Sequence, residues 1–144
     1  MPGQHVVFEA EDLLLEGVLS LPDGRGPFPG IVVCHPHPLY GGSMHNSVVQ
    51  VVCAALLERG LASLAFNFRG VGGSEGALSR GEGEQEDALA ALEFLKSRDQ
   101  VSRVAPGLAG YSFGAGVAAS VAVRLPGLGA LALISGGARH ETAA

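Results

Sequence analysis

The pentapeptide Gly110-Tyr111-Ser112-Phe113-Gly114 fits the Gly-x-Ser-x-Gly pattern of a nucleophile elbow, in which a serine stands on a sharp turn between a strand and a helix. An apolar run, Val104 to Ala109, precedes it, and a run of small residues, Ala115 to Val123, follows it. The stretch 104–124 is therefore predicted to form a strand, a tight turn and a helix. A side chain at position 110 or 114 would collide with the neighbouring strand and helix, which explains both glycines. Ser112 is the candidate nucleophile.

A second match to this pattern, Gly72-Gly73-Ser74-Glu75-Gly76, lies elsewhere in the chain. Glycine fills 22 of the 144 positions, so the pattern alone is weak evidence and its context has to decide. Ser74 follows a glycine-rich loop and leads into another loop, Ala77 to Gly83, so it lacks the strand and the helix that hold an activated serine. We therefore interpret Ser74 as a flexible turn residue.

The composition narrows the class of protein. With 144 residues, 47% of them hydrophobic, the chain is long enough to bury a core, and an apolar parallel sheet is favoured. The net charge of −5 and the single lysine, Lys96, leave no basic patch, which argues against nucleic acid as a partner. Cys34 and Cys53 lie in apolar segments and are expected to be buried free thiols in a reducing compartment.

The location of the protein is predicted from two segments. Residues 1–5 show neither the basic region nor the apolar region of a signal peptide, so we expect a cytoplasmic protein. The stretch Val104 to Val123 carries no charge, but Pro106, four glycines and two serines interrupt it. We therefore expect no membrane-spanning helix there.

The rest of the chain alternates between strand and helix patterns. Two strands around the acidic turn Glu11-Asp12 are predicted to pair as a hairpin. A helix carrying Val48, Val51, Val52, Ala55 and Leu56 on its apolar face is predicted to end at Gly60. This alternation indicates an α/β fold with a mostly parallel sheet. The other predicted elements are strands at Ile31 to Cys34, Leu61 to Phe66 and Gly129 to Ile134, and a helix at Glu84 to Ser97.

Two further motifs occur together with the elbow. One is His35-Pro36-His37-Pro38-Leu39-Tyr40-Gly41-Gly42-Ser43-Met44-His45-Asn46, and the other is Asn67-Phe68-Arg69-Gly70-Val71-Gly72-Gly73-Ser74. In this order the three motifs resemble the α/β-hydrolase superfamily, especially its small lidless branch of dienelactone-hydrolase-like and esterase-like members. The resemblance implies a sheet in the order 1-2-4-3-5-6, with strand 2 antiparallel and helices on both faces. The chain corresponds only to the N-terminal two-thirds of that fold and lacks its last two strands.

An acyl-transfer site needs two N–H donors for the oxyanion that forms at the carbonyl. One is expected from the backbone of Phe113, which follows the nucleophile. The other should come from the loop after the third strand, where the prolines have no N–H, so His37, Leu39 and Tyr40 are the candidates. The resemblance favours His37.

The resemblance also implies that an acid and a histidine follow later strands, in the order Ser, acid, His. Downstream of Ser112 the only histidine is His140 and the only acid is Glu141, in a tail unlike either segment. Residues 1–144 are therefore expected to form one incomplete hydrolase domain. The expected function is that of a serine hydrolase acting on ester or related acyl substrates through an acyl-enzyme on Ser112. The alternative is a non-catalytic remnant that binds a ligand or a partner.

Other sites are less well supported. His35, His37 and His45 lack converging ligands, so no metal is expected; His35 is interpreted as structural and Arg69 as half of a buried ion pair. The stretch Gly114 to Ala119 fits the start of a dinucleotide site, but no acidic residue follows about twenty positions later, so no cofactor is expected.

The strand 129–134 has no lysine, proline or inward charge, so it is predicted to be an unprotected edge through which the chain could self-associate.

Overall fold

A computed structural model describes residues 3–136. Within this range, strands and helices alternate as the sequence pattern predicts. The elements are β1 (Gln4–Ala10), β2 (Leu13–Ser20), β3 (Gly30–Cys34), α1 (Ser47–Glu58), β4 (Ala62–Phe66), α2 (Glu82–Lys96), β5 (Gly107–Tyr111), α3 (Phe113–Arg124) and β6 (Ala130–Ile134), with a short 3-10 turn at Pro38–Tyr40.

The strands form one sheet in the order β1-β2-β4-β3-β5-β6. β2 runs antiparallel to both of its neighbours, β1 and β4, while β3 pairs in parallel with β4 and β5, and β5 with β6. The order and the antiparallel second strand confirm the predicted topology. Because the carboxyl ends of β3, β4 and β5 meet at one edge, the loops that follow these strands lie together there, and those loops carry the three sequence motifs.

Helices cover both faces of the sheet, as predicted. On one face α2 and α3 pack over the larger core, which includes Phe66, Leu95, Leu108 and Val117. On the other face α1 packs through Val49 against a smaller core at the centre of the sheet. The central strands are short apolar runs because they are buried from both sides.

The predicted apolar face of α1 is partly wrong. The buried side holds Val49, Val52, Cys53 and Leu56, whereas Val51 and Ala55 are exposed. The side chain of Asn46 caps the helix by accepting the N–H groups of Val48 and Val49, which fixes where the helix begins. Because almost every position from 48 to 57 is apolar or small, periodicity alone does not select the side that faces the sheet.

The sequence also predicts two buried free thiols and no membrane-spanning helix. Cys34 and Cys53 are both free; Cys34 is fully buried and Cys53 half-buried. In the part of the chain that the structure describes, no helix has both the length and the apolarity needed to cross a membrane.

Candidate active site

Ser112 stands alone between β5, which ends at Tyr111, and α3, which begins at Phe113. Its backbone has φ 57° and ψ −115°, a conformation that costs a non-glycine residue about 1–3 kcal/mol and persists only where the surroundings enforce it. The Ser112 N–H donates to the Ile134 carbonyl of β6 (3.0 Å), and its own carbonyl accepts the Ala115 N–H (2.9 Å). The half-buried hydroxyl makes no cap hydrogen bond to α3. The turn thus holds a serine whose hydroxyl forms no hydrogen bond with any of residues 3–136.

The two glycines of the motif are required by space. A Cβ at Gly110 would lie 2.2 Å from the Gly114 carbonyl oxygen, inside the first turn of α3. A Cβ at Gly114 would lie 2.3 Å from the Cys34 carbonyl oxygen and 2.6 Å from that of His35, at the end of β3. This confirms the predicted collisions with helix and strand. It also shows that the first turn of α3 rests directly on the loop that follows β3.

That loop contains the three candidates for the second oxyanion donor. The Leu39 N–H donates to His37 Nδ1 (3.1 Å), and the Tyr40 N–H donates to the His37 carbonyl oxygen (3.0 Å). Both are thus consumed within the turn, whereas the His37 N–H makes no hydrogen bond with any of residues 3–136. Since Nδ1 accepts a hydrogen bond, the neutral ring carries its proton on Nε2.

The structure brings this loop against the elbow. The rings of His37 and Phe113 meet edge to face, with centroids 4.7 Å apart. The Phe113 N–H is the first of α3 and, among residues 3–136, has no hydrogen-bond acceptor, as is usual at a helix start. Among residues 3–136, the N–H groups of Phe113 and His37 are thus unpaired, and the ring contact places His37 beside the residue that follows Ser112.

A base for Ser112 is not found among the described residues. Within 3–136, no histidine or carboxylate hydrogen-bonds its hydroxyl. His140 and Glu141, the only histidine and acid downstream of Ser112, lie outside the described residues.

Comparison with known proteins shows the family of the chain. The sequence profile of the X-Pro dipeptidyl-peptidase (S15) family matches residues 12–142. The chain belongs to the S15 family. It spans about two fifths of the length of the curated relatives that it matches first, 41% and 42%.

The S15 chain shares its fold with solved lidless α/β hydrolases. A candidate α/β hydrolase of unknown function from Agrobacterium tumefaciens superposes with a TM-score of 0.87 at 32% identity, over 95% of this chain and 62% of that one. A lidless α/β serine hydrolase of Xanthomonas campestris gives a TM-score of 0.78 at 35% identity, over 88% and 58%. Esterase EstD of Thermotoga maritima is 31% identical over 125 residues, which are 81% of this chain and 30% of that enzyme. The chain is therefore a member of the α/β-hydrolase superfamily.

His35 has a structural role in the S15 chain, as predicted. It is fully buried, its Nδ1–H donates to the Pro36 carbonyl oxygen (2.7 Å), and its Nε2 accepts the Phe68 N–H (3.1 Å). Burial lowers the pKa of His35 to about 4, so the ring is neutral near pH 7. With both nitrogens bonded, His35 ties the loop after β3 to the loop after β4.

Arg69 forms the predicted ion pair. Its guanidinium donates to the buried Asp87 from Nε (3.0 Å) and Nη2 (2.8 Å), and Nη2 also reaches Glu11 (2.8 Å). The hydrogen bonds to Asp87 raise the pKa of Arg69 above its ordinary value. The pair fastens the loop after β4 to α2.

The interpretation of Ser74 as a flexible turn residue is wrong. Ser74 is buried; its hydroxyl donates to the Asn67 carbonyl oxygen (2.7 Å) and accepts the Glu16 N–H (3.0 Å). Two partners on separate segments hold it, because the glycine-rich loop folds back onto β2. It is a structural serine in the S15 chain.

Two residues of this network were missed in the sequence. Asn67 Oδ1 accepts the Met44 N–H (2.8 Å), and its Nδ2 donates to the Glu16 carboxylate (2.7 Å). Hydrogen bonds from His5 and from the Gly73 N–H lower the pKa of Glu16. The position of Asn67 directly after a buried strand was the available signal; its partner Glu16, 51 residues away, could not be inferred from spacing.

The remaining small residues of the elbow helix serve packing. Gly114, Ala115 and Gly116 are buried, and Gly114 rests on the end of β3, which supports the packing interpretation over a dinucleotide site. Within residues 3–136, no group of three His, Cys, Asp or Glu side chains is arranged to hold a metal ion.

Proposed function

We propose that the protein is a serine hydrolase that cleaves esters or related acyl substrates, with Ser112 as the nucleophile. The observation that carries this proposal is the strained Ser112 turn, together with the N–H groups of Phe113 and His37, which are unpaired within residues 3–136. Acyl transfer needs at one point a strained serine whose hydroxyl is available and two N–H donors that are not already paired.

The reaction follows from these parts. Ser112 Oγ attacks the substrate carbonyl carbon, and its proton passes to a base that lies outside residues 3–136. The carbonyl oxygen becomes an oxyanion that accepts hydrogen bonds from the Phe113 and His37 N–H groups. The C–O bond to the alcohol then breaks, the alcohol leaves with a proton, and water hydrolyses the ester on Ser112. Loss of one such donor costs about 10²–10³ in kcat in comparable sites.

The choice of an ester rests on a relative. Esterase EstD, at 31% identity, supports an ester as the substrate, although the S15 family is named for a peptidase. The acyl-enzyme step is common to both reactions.

The free thiols Cys34 and Cys53 support a cytoplasmic location, because reducing compartments keep thiols unpaired.

The test compares two alanine variants in the protein that carries this chain. Ser112→Ala should lower the hydrolysis of a short-chain nitrophenyl ester by at least about 10³-fold, the loss typical of a nucleophile. Ser120→Ala, on the same helix, is the matched control and should retain full activity. Equal activity of the wild type and Ser112→Ala would overturn the proposal. Absence of hydrolysis by the wild type would favour the non-catalytic alternative, a domain that binds a ligand or partner.

A further inference from the structure

The 3-10 turn Pro38–Tyr40 displays two large side chains that residues 3–136 leave exposed. Leu39 is 75% exposed and Tyr40 is 89% exposed. Burial of such side chains is a main source of folding free energy, so these two contribute little to it. Scattered apolar side chains are normal on surfaces, but a rigid pair beside a candidate active site is a different case.

This turn is held in place by His37. The His37 ring accepts the Leu39 N–H (3.1 Å), and its carbonyl oxygen accepts the N–H groups of Tyr40 and Gly42 (3.0 Å each). Gly41 closes the turn with φ 80°, a left-handed conformation that glycine adopts without strain. The backbone that carries Leu39 and Tyr40 is thus fixed before any ligand binds, which reduces the entropy lost on binding.

A row of rings joins the turn to the elbow. The Tyr40 ring lies 5.4 Å from the His37 ring, which lies 4.7 Å from the Phe113 ring. We call Tyr40, His37 and Phe113 the aromatic strip. The strip thus joins the two residues proposed as oxyanion donors, His37 and Phe113, to the exposed Tyr40.

The strip offers ring faces and edges rather than charge. Among residues 3–136, no Lys, Arg, Asp or Glu side chain forms a hydrogen bond or ion pair with its three members. The guanidinium of Arg69, in the neighbouring loop, is occupied by Asp87 and Glu11. Aromatic rings without charged partners favour contact with alkyl chains and with other rings, in offset or edge-to-face geometry.

We infer that the aromatic strip, together with Leu39, is the subsite for an apolar, ring-bearing group of the ester substrate. This inference rests on the proposed function, because it places that group next to the carbonyl attacked by Ser112. It identifies Tyr40 and Leu39 as specificity-determining residues and aryl-bearing esters as the preferred substrate class.

The experiment measures discrimination among three esters in the protein that carries this chain. Methyl acetate has no large apolar group, methyl 3-phenylpropanoate carries a ring on the acyl side, and benzyl acetate carries one on the alcohol side. For one of the two ring-bearing esters, Tyr40→Ala should lower kcat/KM relative to that for methyl acetate by about tenfold, mainly by raising KM. This is the size expected for the loss of one aromatic contact and its buried area. Tyr40→Phe should keep the ratio, since the ring and not the hydroxyl makes the contact.

Val104→Ala is the matched control, because Val104 is 78% exposed and precedes β5, at the opposite end of that strand from the elbow. It should leave all three rates unchanged. An equal effect of Tyr40→Ala on the three esters would show a structural role and overturn the inference, as would no effect on any of them. If the wild type hydrolyses no ester, the proposed function fails instead. Chemical-shift changes at Tyr40 on adding methyl 3-phenylpropanoate to Ser112→Ala would then support the subsite, and their absence would overturn it.

Discussion

Replacement of Gly114 by alanine tests whether the elbow needs the close approach of α3 to β3. The new Cβ would lie 2.3 Å from the Cys34 carbonyl oxygen, and ordinary contact begins near 3.4 Å, so the helix start has to move by about 1 Å. The contacting atoms belong to the backbone of a central strand, which cannot give way as a flexible side chain would. The Phe113 N–H moves with the helix, whereas the His37 N–H stays with the β3 loop.

Two magnitudes follow from this shift. Overpacking of this kind costs about 2 kcal/mol, the middle of the usual range, and the better helix propensity of alanine returns up to about 1 kcal/mol, so the net loss should be about 1–2 kcal/mol. A misplacement of about 1 Å in a catalytic geometry lowers the rate by about 10²-fold. The free energy of unfolding, from urea titration, and the kcat for a nitrophenyl ester measure both effects. Gly127→Ala, at a glycine with no atom near its Cβ position, is the control and should change neither. Wild-type stability and kcat in Gly114→Ala would refute this reasoning.

Three further predictions address other parts of the molecule. Burial lowers the pKa of His35 to about 4, so between pH 6.5 and 4 the unfolded chain binds a proton that the folded chain does not. As the pH decreases through this window, the free energy of unfolding should therefore decrease, by at most about 1.4 kcal/mol per pH unit. Urea titrations at several pH values should show a weaker pH dependence of the free energy of unfolding for His35→Gln than for the wild type. An unchanged pH dependence would contradict the role of His35. The 144-residue polypeptide alone should hydrolyse esters at no more than about 10³–10⁴ over water, because residues 3–136 offer Ser112 no base; typical enzyme turnover by that polypeptide would be contrary evidence. Strand β6 lies at the sheet edge with Leu131 43% exposed, so this polypeptide should self-associate in light scattering, and Leu131→Lys should reduce it; a monomer at tens of micromolar without the lysine would argue against edge pairing.

Much of the fold could be predicted because local pattern and tertiary position agree. The apolar run 31–34, the alternating hairpin and the Gly110–Gly114 motif each carry the period or the turn chemistry of their element. The side of α1 that faces the sheet could not be predicted, since an almost wholly apolar helix has no polar face to mark the solvent side. The packing of Val49, with Val52, Cys53 and Leu56, against the smaller core fixes that side.

The candidate site divides in the same way. Ser112 and the Phe113 donor follow from the motif, because both lie within one turn. For the proposed second donor, the absence of N–H groups in proline leaves three residues, and only the resemblance favours His37 among them. The residues alone go no further, because the His37 ring and carbonyl accept the other two N–H groups only once the loop has folded. The burial of Ser74 depends on Glu16, 58 residues away, and no local spacing predicts such a contact.

The most direct test of the central claim is to identify the serine that forms a covalent adduct. The protein that carries this chain is treated with a fluorophosphonate, which reacts with activated serines, and the modified peptide is found by mass spectrometry. We predict a single adduct on Ser112, absent after Ser112→Ala. An adduct on Ser74, or no adduct in a protein that hydrolyses esters, would contradict the assignment of Ser112 as the nucleophile.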